Sequence, residues 1–289
     1  MAAIEEEHLA VPAKYDRIGS WSVVKHEIIQ KYACAYSRIL STRRHPSLSH
    51  VYIDAFAGSG TQFFRETSSW VRGSPLIVLS IEPKFDDYYF VDIDSAKVQD
   101  LAHACEGYVN VHILHGDCNE ILPRDVLPNV RYSDYRRGLC LLDPYGLHLS
   151  WNVIQEVAQL RTIDLFLNFP IADINRNVLR KDPSRASAEA CRRMTTYWGD
   201  ETWSDLCYCT EANLFGYRFK RSNTEIAELF RSRLLSVAGF EHVSEPLAMR
   251  NSNNAIVYYL FFASHKPVAV DIVHSIFSKY APPGSQQCH

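Results

Sequence analysis

The chain has 289 residues, 47% of them hydrophobic and 22% charged, and its 30 Lys+Arg against 33 Asp+Glu leave a formal net charge of −3. That length buries a full core without disulfides or a metal, and the composition excludes disorder over most of the chain. A charge of −3 also counts against a general nucleic-acid coat, whose affinity comes from many phosphate contacts.

The apolar runs, such as Ala255 to Ala263, fall well below the roughly 20 residues that cross a bilayer, so no membrane association is expected. The start MAAIEEEHLA carries three acids and no apolar stretch of signal-peptide type, which points to a cytoplasmic protein. A local basic face stays open. Residues 175–233 hold eleven Lys/Arg and eight Asp/Glu, or +3, so the remainder sums to −6.

In chain order, residues 1–13 and the tail 281–289 (APPGSQQCH) read as flexible termini around one domain over 14–280. Trp21, Val24, Ile28, Tyr32, Ala35 and Ile39 recur every three or four residues, which predicts an amphipathic helix with Ser20 as its N-cap. VYIDAFAG (51–58) is a continuous apolar run ending in glycine, the pattern of a parallel strand buried on both faces. TQFFRETSSWVRG reads as a polar loop leading to a helix from Ser74. Further strands are predicted at 88–94, 111–117, 138–144 and 164–170, each ending in Gly, Asp or Pro. Helical or loop segments separate most of them, which predicts an α/β fold of Rossmann-like type with ligands outside the carboxyl ends of the strands. Residues 172–217 interrupt the alternation and read as a helical insertion. FEHVSEPLAM (240–249) and AIVYYLFFAS (255–264) flank RNSNN and read as a closing antiparallel hairpin.

The eight cysteines (34, 105, 118, 140, 191, 207, 209, 288) follow no zinc-ligand spacing, so reduced, buried thiols are expected even at the close pair Cys207 and Cys209. The twelve histidines form no HExxH pattern, and no metal site is expected. His115 and His148 stand near predicted strand ends; His148 reads either as a base or as an ordinary surface histidine.

The strongest local signal is Asp54-Ala-Phe-Ala-Gly58-Ser-Gly60. Two glycines one residue apart let the backbone turn sharply and approach a ligand closely. A nicotinamide dinucleotide fingerprint is excluded: Phe63 stands at its third glycine position, and the next strand-end acid, Asp92, lies 32 residues past Gly60. No Gly-Lys-Ser/Thr follows, so this is no P-loop.

DAFAGSG, the acid at the second strand end, HGD at the third and DPYG at the fourth together resemble class I S-adenosylmethionine-dependent methyltransferases. More narrowly, KYDRIGSWSVVKHEII, YIDAFAGSGT, HGDCNEILP, LCLLDPYGLHLSW, FLNFPIADINRNVL, NLFG and MRNSNNAIVYYLFFAS are similar to the three-Cys-motif partner protein (TcmP) family, over about Lys14 to Tyr280. The resemblance implies a mostly parallel seven-stranded sheet with a C-terminal antiparallel hairpin, and S-adenosyl-L-methionine as cofactor. It places Asp54, Phe56, Gly58 and Gly60 beside the methionine and ribose, Asp92 on the ribose hydroxyls, and Asp117 and Cys118 at the adenine. For Asp92 and Asp117 the competing reading is a helix N-cap.

Asp143-Pro144-Tyr145-Gly146 resembles the tetrad with which amine methyltransferases hold a base, the carboxylate and a carbonyl accepting from the amine and the ring stacking on it. It lacks that tetrad's second proline and brings the tyrosine one place earlier, closer to the DPFG of tRNA guanine dimethyltransferases. Asn168, Pro170, Asn175 and Arg176 follow the fifth strand and are expected to line the substrate entrance. Arg180, Lys181, Arg185, Arg192 and Arg193 with Tyr197, Trp198 and Trp203 suit either a flipped or single-stranded nucleic acid or a solvated helical face over buried tryptophans. Lys25 and His26 read as approaching the cofactor carboxylate or as exposed.

Three functions follow: a methyltransferase acting on an amine of a nucleobase in RNA, DNA or a nucleoside; a silent subunit recognising substrate for a three-cysteine-motif protein, itself similar to radical S-adenosylmethionine enzymes; or a small-molecule methyltransferase.

Overall fold

The computed structural model describes residues 15–42, 47–180, 182–209 and 219–281. The expectations for 1–13 and for the tail past Ala281, and the motif residues Lys14, Lys181 and Asn213 to Gly216, lie outside the described residues.

The first helix, α1, spans Ser20–Ser41 and is entered from Gly19, which has no side chain to cap it, so Ser20 is the first helical residue and not its cap. Its buried stripe is Ser22, Lys25, His26, Ile29, Tyr32, Ala33, Tyr36 and Ser37, with Ile28 alongside. This is turned away from the expected face: Ile39 is 42% exposed. The rotation follows from Lys25 and His26, two polar residues that the fold takes inside.

Strand β1 is Ser49–Asp54 and helix α2 is Ser74–Leu79. Between them the expected loop is a hairpin: Thr61–Phe64 pairs antiparallel with Ser69–Arg72, and Arg17–Ile18 adds in parallel beside Phe63 and Phe64. Its side chains are only half buried, so it lacks the apolar run of the central strands. Tyr15 packs on Trp70 with ring centroids 4.7 Å apart, which supplies the hairpin's apolar partner from a segment far upstream.

Further elements include β2 (Asp87–Asp92), α3 (Ser95–Ala104), β3 (Val111–His115), α4 (Cys118–Ile121), β4 (Arg136–Leu142), α5 (Trp151–Leu160), β5 (Ile163–Phe169), α6 (Ile171–Asn177), α7 (Ala188–Trp198), α8 (Asn223–Arg233), β6 (Leu247–Arg250), β7 (Ile256–Ser264) and α9 (Pro267–Phe277). Strands β1 to β5 pair in parallel, and β7 runs antiparallel to β5 and to β6. Across the sheet the order is β3-β2-β1-β4-β5-β7-β6, with His242–Val243 also on β7. A chain that starts in the middle, winds outward and then crosses to the other half leaves a crevice at the carboxyl ends of β1 and β4.

The pleat sorts side chains to two faces. Tyr52, Leu139, Leu141 and Phe166 join Ile29 and Tyr32 of α1, Val78 of α2 and Val273 of α9. Val51, Ile53, Cys140, Leu142, Leu165 and Leu167 join Ile154 of α5, Ile174 of α6, Met194 of α7 and Phe230 of α8. The result is a Rossmann-like sheet between two helical layers.

Helix α7 buries Ala190, Met194, Tyr197 and Trp198 on one stripe, and Trp203 is 8% exposed. These aromatics are therefore core residues and are not available to stack on a base. Arg233 of α8 is also internal: its guanidinium lies 5.0 Å from the Trp151 ring centroid and 5.3 Å from that of Trp198, bonds Asp200 at 2.8 Å and donates to the Trp198 carbonyl at 3.1 Å. Removing it strands a buried carbonyl and empties the slot between two indoles. Arg233→Ala is expected to cost about 3 kcal/mol in urea unfolding, whereas Arg192→Ala on the exposed side of α7 should change stability by less than about 0.5 kcal/mol.

Candidate functional site

Four of the parallel strands deliver a polar residue to their carboxyl ends: Asp54 ends β1, Asp92 ends β2, Asp143 follows β4 and Asn168 lies near the end of β5. The register holds Asp54 beside Leu141 and Phe90, and Leu142 beside Leu167, which brings these ends to one edge.

The centre is Asp143. Lys25 of α1 donates to its Oδ2, and Asn168 Nδ2 donates to its Oδ1 at 2.8 Å. Burial alone would raise the Asp143 pKa. The Lys25 charge, the bonds from Lys25 and Asn168, and His26 nearby outweigh burial and hold the carboxyl below its ordinary value. The Lys25 ammonium also stands 5.7 Å from the centroid of the Tyr258 ring. His26, next in the helix, is depressed to about 3 by burial and then by Lys25, so it is neutral. Lys25 and His26 are thus both buried, neither exposed, and Lys25 serves an aspartate.

Asn168 is 7% exposed, its backbone carbonyl accepts from the Tyr197 hydroxyl at 2.9 Å, and its side-chain oxygen has no hydrogen-bond partner among the described residues. Beside it, Pro144 is buried while Tyr145 is 91% exposed, an aromatic ring presented to solvent at the strand end. The turn that does this needs Gly146 at φ +65°, and a Cβ there would come within 3.0 Å of Asp173 Oδ2 on α6. Pro170 is buried and its carbonyl starts α6 by accepting from Asp173 and Ile174. Asn175 turns to Asn223 and Lys220, at 2.9 and 2.7 Å, and Arg176 is exposed.

On the other half of the edge, Asp54 is fully buried and accepts from Ser74 Oγ at 2.5 Å and from the Phe56 N–H at 3.2 Å. Burial raises its pKa from 3.8 to about 7, against the lowering by those two bonds. Phe56 is half buried. The glycine turn is tight: Gly60 has φ +80°, its carbonyl accepts from Gly73 at 2.7 Å, and a Cβ on it would meet Leu101 Cδ1 at 2.9 Å.

Asp92 Oδ2 accepts from the Gly58 N–H at 2.8 Å and Oδ1 from the Asp94 N–H at 2.9 Å, so it ties β2 to the glycine turn. The cap of α3 is Asp94, not Asp92. Asp117 does cap α4, accepting from the Asn119 N–H at 2.9 Å. Cys118 is buried, and burial pushes its thiol up to about 12. Ile93, between Asp92 and Asp94 in sequence, is 70% exposed. His148 is exposed, and its carbonyl accepts from Asn119. Among the described residues no cluster of His, Cys, Asp and Glu has a metal-holding arrangement, and no helix is long and apolar enough to cross a membrane.

Sequence reasoning missed Lys25 as a partner of Asp143. The available signal was its place in a helical stripe with Ser22, Ile29 and Tyr32, where a lysine must find an internal anion.

No family model matches the chain, and no curated protein matches it. Among solved structures, a Legionella pneumophila protein of the family DUF519 is 12% identical, with 90% of this chain and 94% of that one covered and a TM-score of 0.45. The CurJ carbon methyltransferase is 14% identical, over 80% of this chain and 53% of that one, with a TM-score of 0.38. The plantazolicin methyltransferase BamL, solved with a triazolic desmethylPZN analogue and SAH, is 10% identical over 85% and 88%, with a TM-score of 0.36. The fold assignment rests on the strand order above rather than on these distant likenesses.

Asp54 generates a pH prediction. Between its ordinary value of 3.8 and about 7 the folded state keeps a proton that the unfolded chain has lost, so its ionisation lowers stability as pH rises through that window and adds nothing further above it. Asp54→Asn should therefore gain stability relative to wild type from about pH 4 to about pH 7, by a margin on the order of 2–4 kcal/mol. Urea unfolding at several pH values checks this, and a difference that does not vary with pH would contradict the raised pKa.

Proposed function

We propose that the chain is an S-adenosylmethionine-dependent methyltransferase acting on an amine of a nucleobase in RNA, DNA or a nucleoside, and a member of the three-Cys-motif partner protein family. The observation that carries this is the Asp143 carboxylate, partly exposed, held by Lys25 and Asn168 and followed directly in the chain by Pro144 and the exposed Tyr145 ring.

The residues fit the cofactor. Asp92 and Asp117 offer acceptors to an uncharged nucleoside, Ile93, next to Asp92 in sequence, offers an exposed apolar side chain, and the Gly58–Gly60 turn lets backbone approach closely. The group supplies an electrophilic methyl on a sulfonium. The protein's part is positioning: Asp143, fixed by Lys25 and Asn168, and the Pro144 carbonyl orient the amine, Tyr145 stacks on the ring, and the released proton passes to water.

The base reading over a small acidic-pocket enzyme is supported by the exposed Arg176, Arg180 and Arg192 after β5, which suit a phosphate-bearing substrate, while the acid of that segment nearest the DPYG turn is Asp173, at Gly146. A second reading, the silent recognition subunit of a three-cysteine-motif protein, is favoured by one feature: both Asp143 oxygens are already engaged by protein donors.

Incubation with labelled S-adenosylmethionine and separated RNA, DNA and metabolite pools decides between them. The enzyme reading expects transfer to a nucleobase pool, reduced more than about 100-fold by Asp143→Ala while cofactor affinity stays within threefold. Cofactor binding with no transfer to any pool supports the subunit reading. In calorimetry, Asp92→Ala should weaken cofactor binding by about 1.5–3 kcal/mol; unchanged affinity would remove its ribose role.

A further inference from the structure

The segment Tyr15–Ile18 runs beside the glycine turn, held before Asp16 by the Tyr15 ring on Trp70 and from Asp16 onward by backbone bonds. The Phe63 N–H donates to the Asp16 carbonyl at 2.9 Å, and Arg65 donates from its N–H to the Ile18 carbonyl at 3.1 Å and from Nη2 to the Arg17 carbonyl at 2.8 Å. With the backbone so fixed, the Asp16 carboxylate is aimed: a Cβ placed on Gly58 would stand 3.6 Å from Asp16 Oδ2. Lys97 approaches from the other side. It sits four residues before Leu101 on α3, the residue that packs on Gly60, so both look onto the same turn. Its ammonium donates to both Asp16 oxygens, at 2.8 and 2.7 Å, with side-chain exposures of 16% for Lys97 and 48% for Asp16.

A half-exposed pair of this kind adds little stability, and the backbone bonds already hold the segment. What the pair does supply is one anion and one cation side by side over Gly58. Asp92 and Asp117 can accept from neutral hydroxyls and amines but cannot hold a carboxylate. Lys25 is committed to Asp143.

We propose that Asp16 and Lys97 form the receptor for the amino-acid end of the cofactor, Asp16 taking its α-ammonium and Lys97 its α-carboxylate, an inference that rests on the cofactor reading above. Without ligand the two side chains neutralise each other. With a zwitterion inserted, four charges alternate in sign, and each gains a charge-assisted hydrogen bond in place of the one it gives up.

Calorimetry on the full chain with two ligands tests this: S-adenosylhomocysteine, and 5′-methylthioadenosine, which keeps the nucleoside thioether and lacks the amino-acid end. Asp16→Asn and Lys97→Gln should each weaken S-adenosylhomocysteine about tenfold and leave methylthioadenosine within about twofold. Retained methylthioadenosine binding also reports that the variants are folded. An equal loss for both ligands, or an unchanged affinity for S-adenosylhomocysteine, would overturn the receptor. If the wild-type chain binds methylthioadenosine and S-adenosylhomocysteine equally well, the receptor fails while the nucleoside site stands. If it binds neither, the cofactor reading itself fails and the receptor with it.

Discussion

A lysine ammonium from α1 and an aspartate carboxylate from the end of β4 meet where neither faces bulk water freely, and much of the arrangement around them follows from that contact. An unpaired charge in such a place costs several kcal/mol, so each group makes the other's burial tolerable. Lys25 sets which face of α1 turns inward, and α1 covers the sheet face behind β1, β4 and β5. Asp143 in turn holds the Asn168 amide, which leaves the amide oxygen without a partner among the described residues and the Asn168 backbone carbonyl bonded to Tyr197 of α7. One ion pair thereby links the first helix, the middle of the sheet and the helical segment after β5.

The strand order explains why these residues are neighbours. Strands β1 and β4 are adjacent and parallel, while the helices that follow them leave on opposite faces, so their carboxyl ends open a crevice that no crossover covers. The glycine turn fills one side with backbone and Asp54, and the DPYG turn fills the other with Asp143 and Tyr145. The acids of the two halves differ in state. Asp54 is lifted toward neutrality by burial, while Asp143 is kept ionised by a cation in contact.

The central strands were legible in the sequence because a parallel strand buried on both faces has to be apolar throughout, and VYID, YYFVD and LCLLDP show it. The hairpin at Thr61–Arg72 was not, because its half-buried residues mix polar and aromatic types and its packing partners, Tyr15 to Ile18, lie more than forty residues upstream. The inward stripe of α1 was misplaced for a related reason: periodicity counts Lys25 and His26 as polar, and the anion that draws Lys25 inside is 118 residues away. The cap at Asp117 was legible from its position after a strand, and it caps α4. Tyr197 and Trp198 sit beside Arg192 and Arg193 in sequence, yet the helical period sends the aromatics inward with Met194 and leaves Arg192 outside.

The contact between Lys25 and Asp143 is open to a direct measurement, a double-mutant cycle of Lys25→Met and Asp143→Asn read by urea unfolding. If the pair holds the two halves of the site together, each single variant loses about 3 kcal/mol and the double variant loses far less than the sum, a coupling of about 2–3 kcal/mol. Losses that add to within about 0.5 kcal/mol would mean that the two groups do not depend on each other, and would contradict the account of how this site is built.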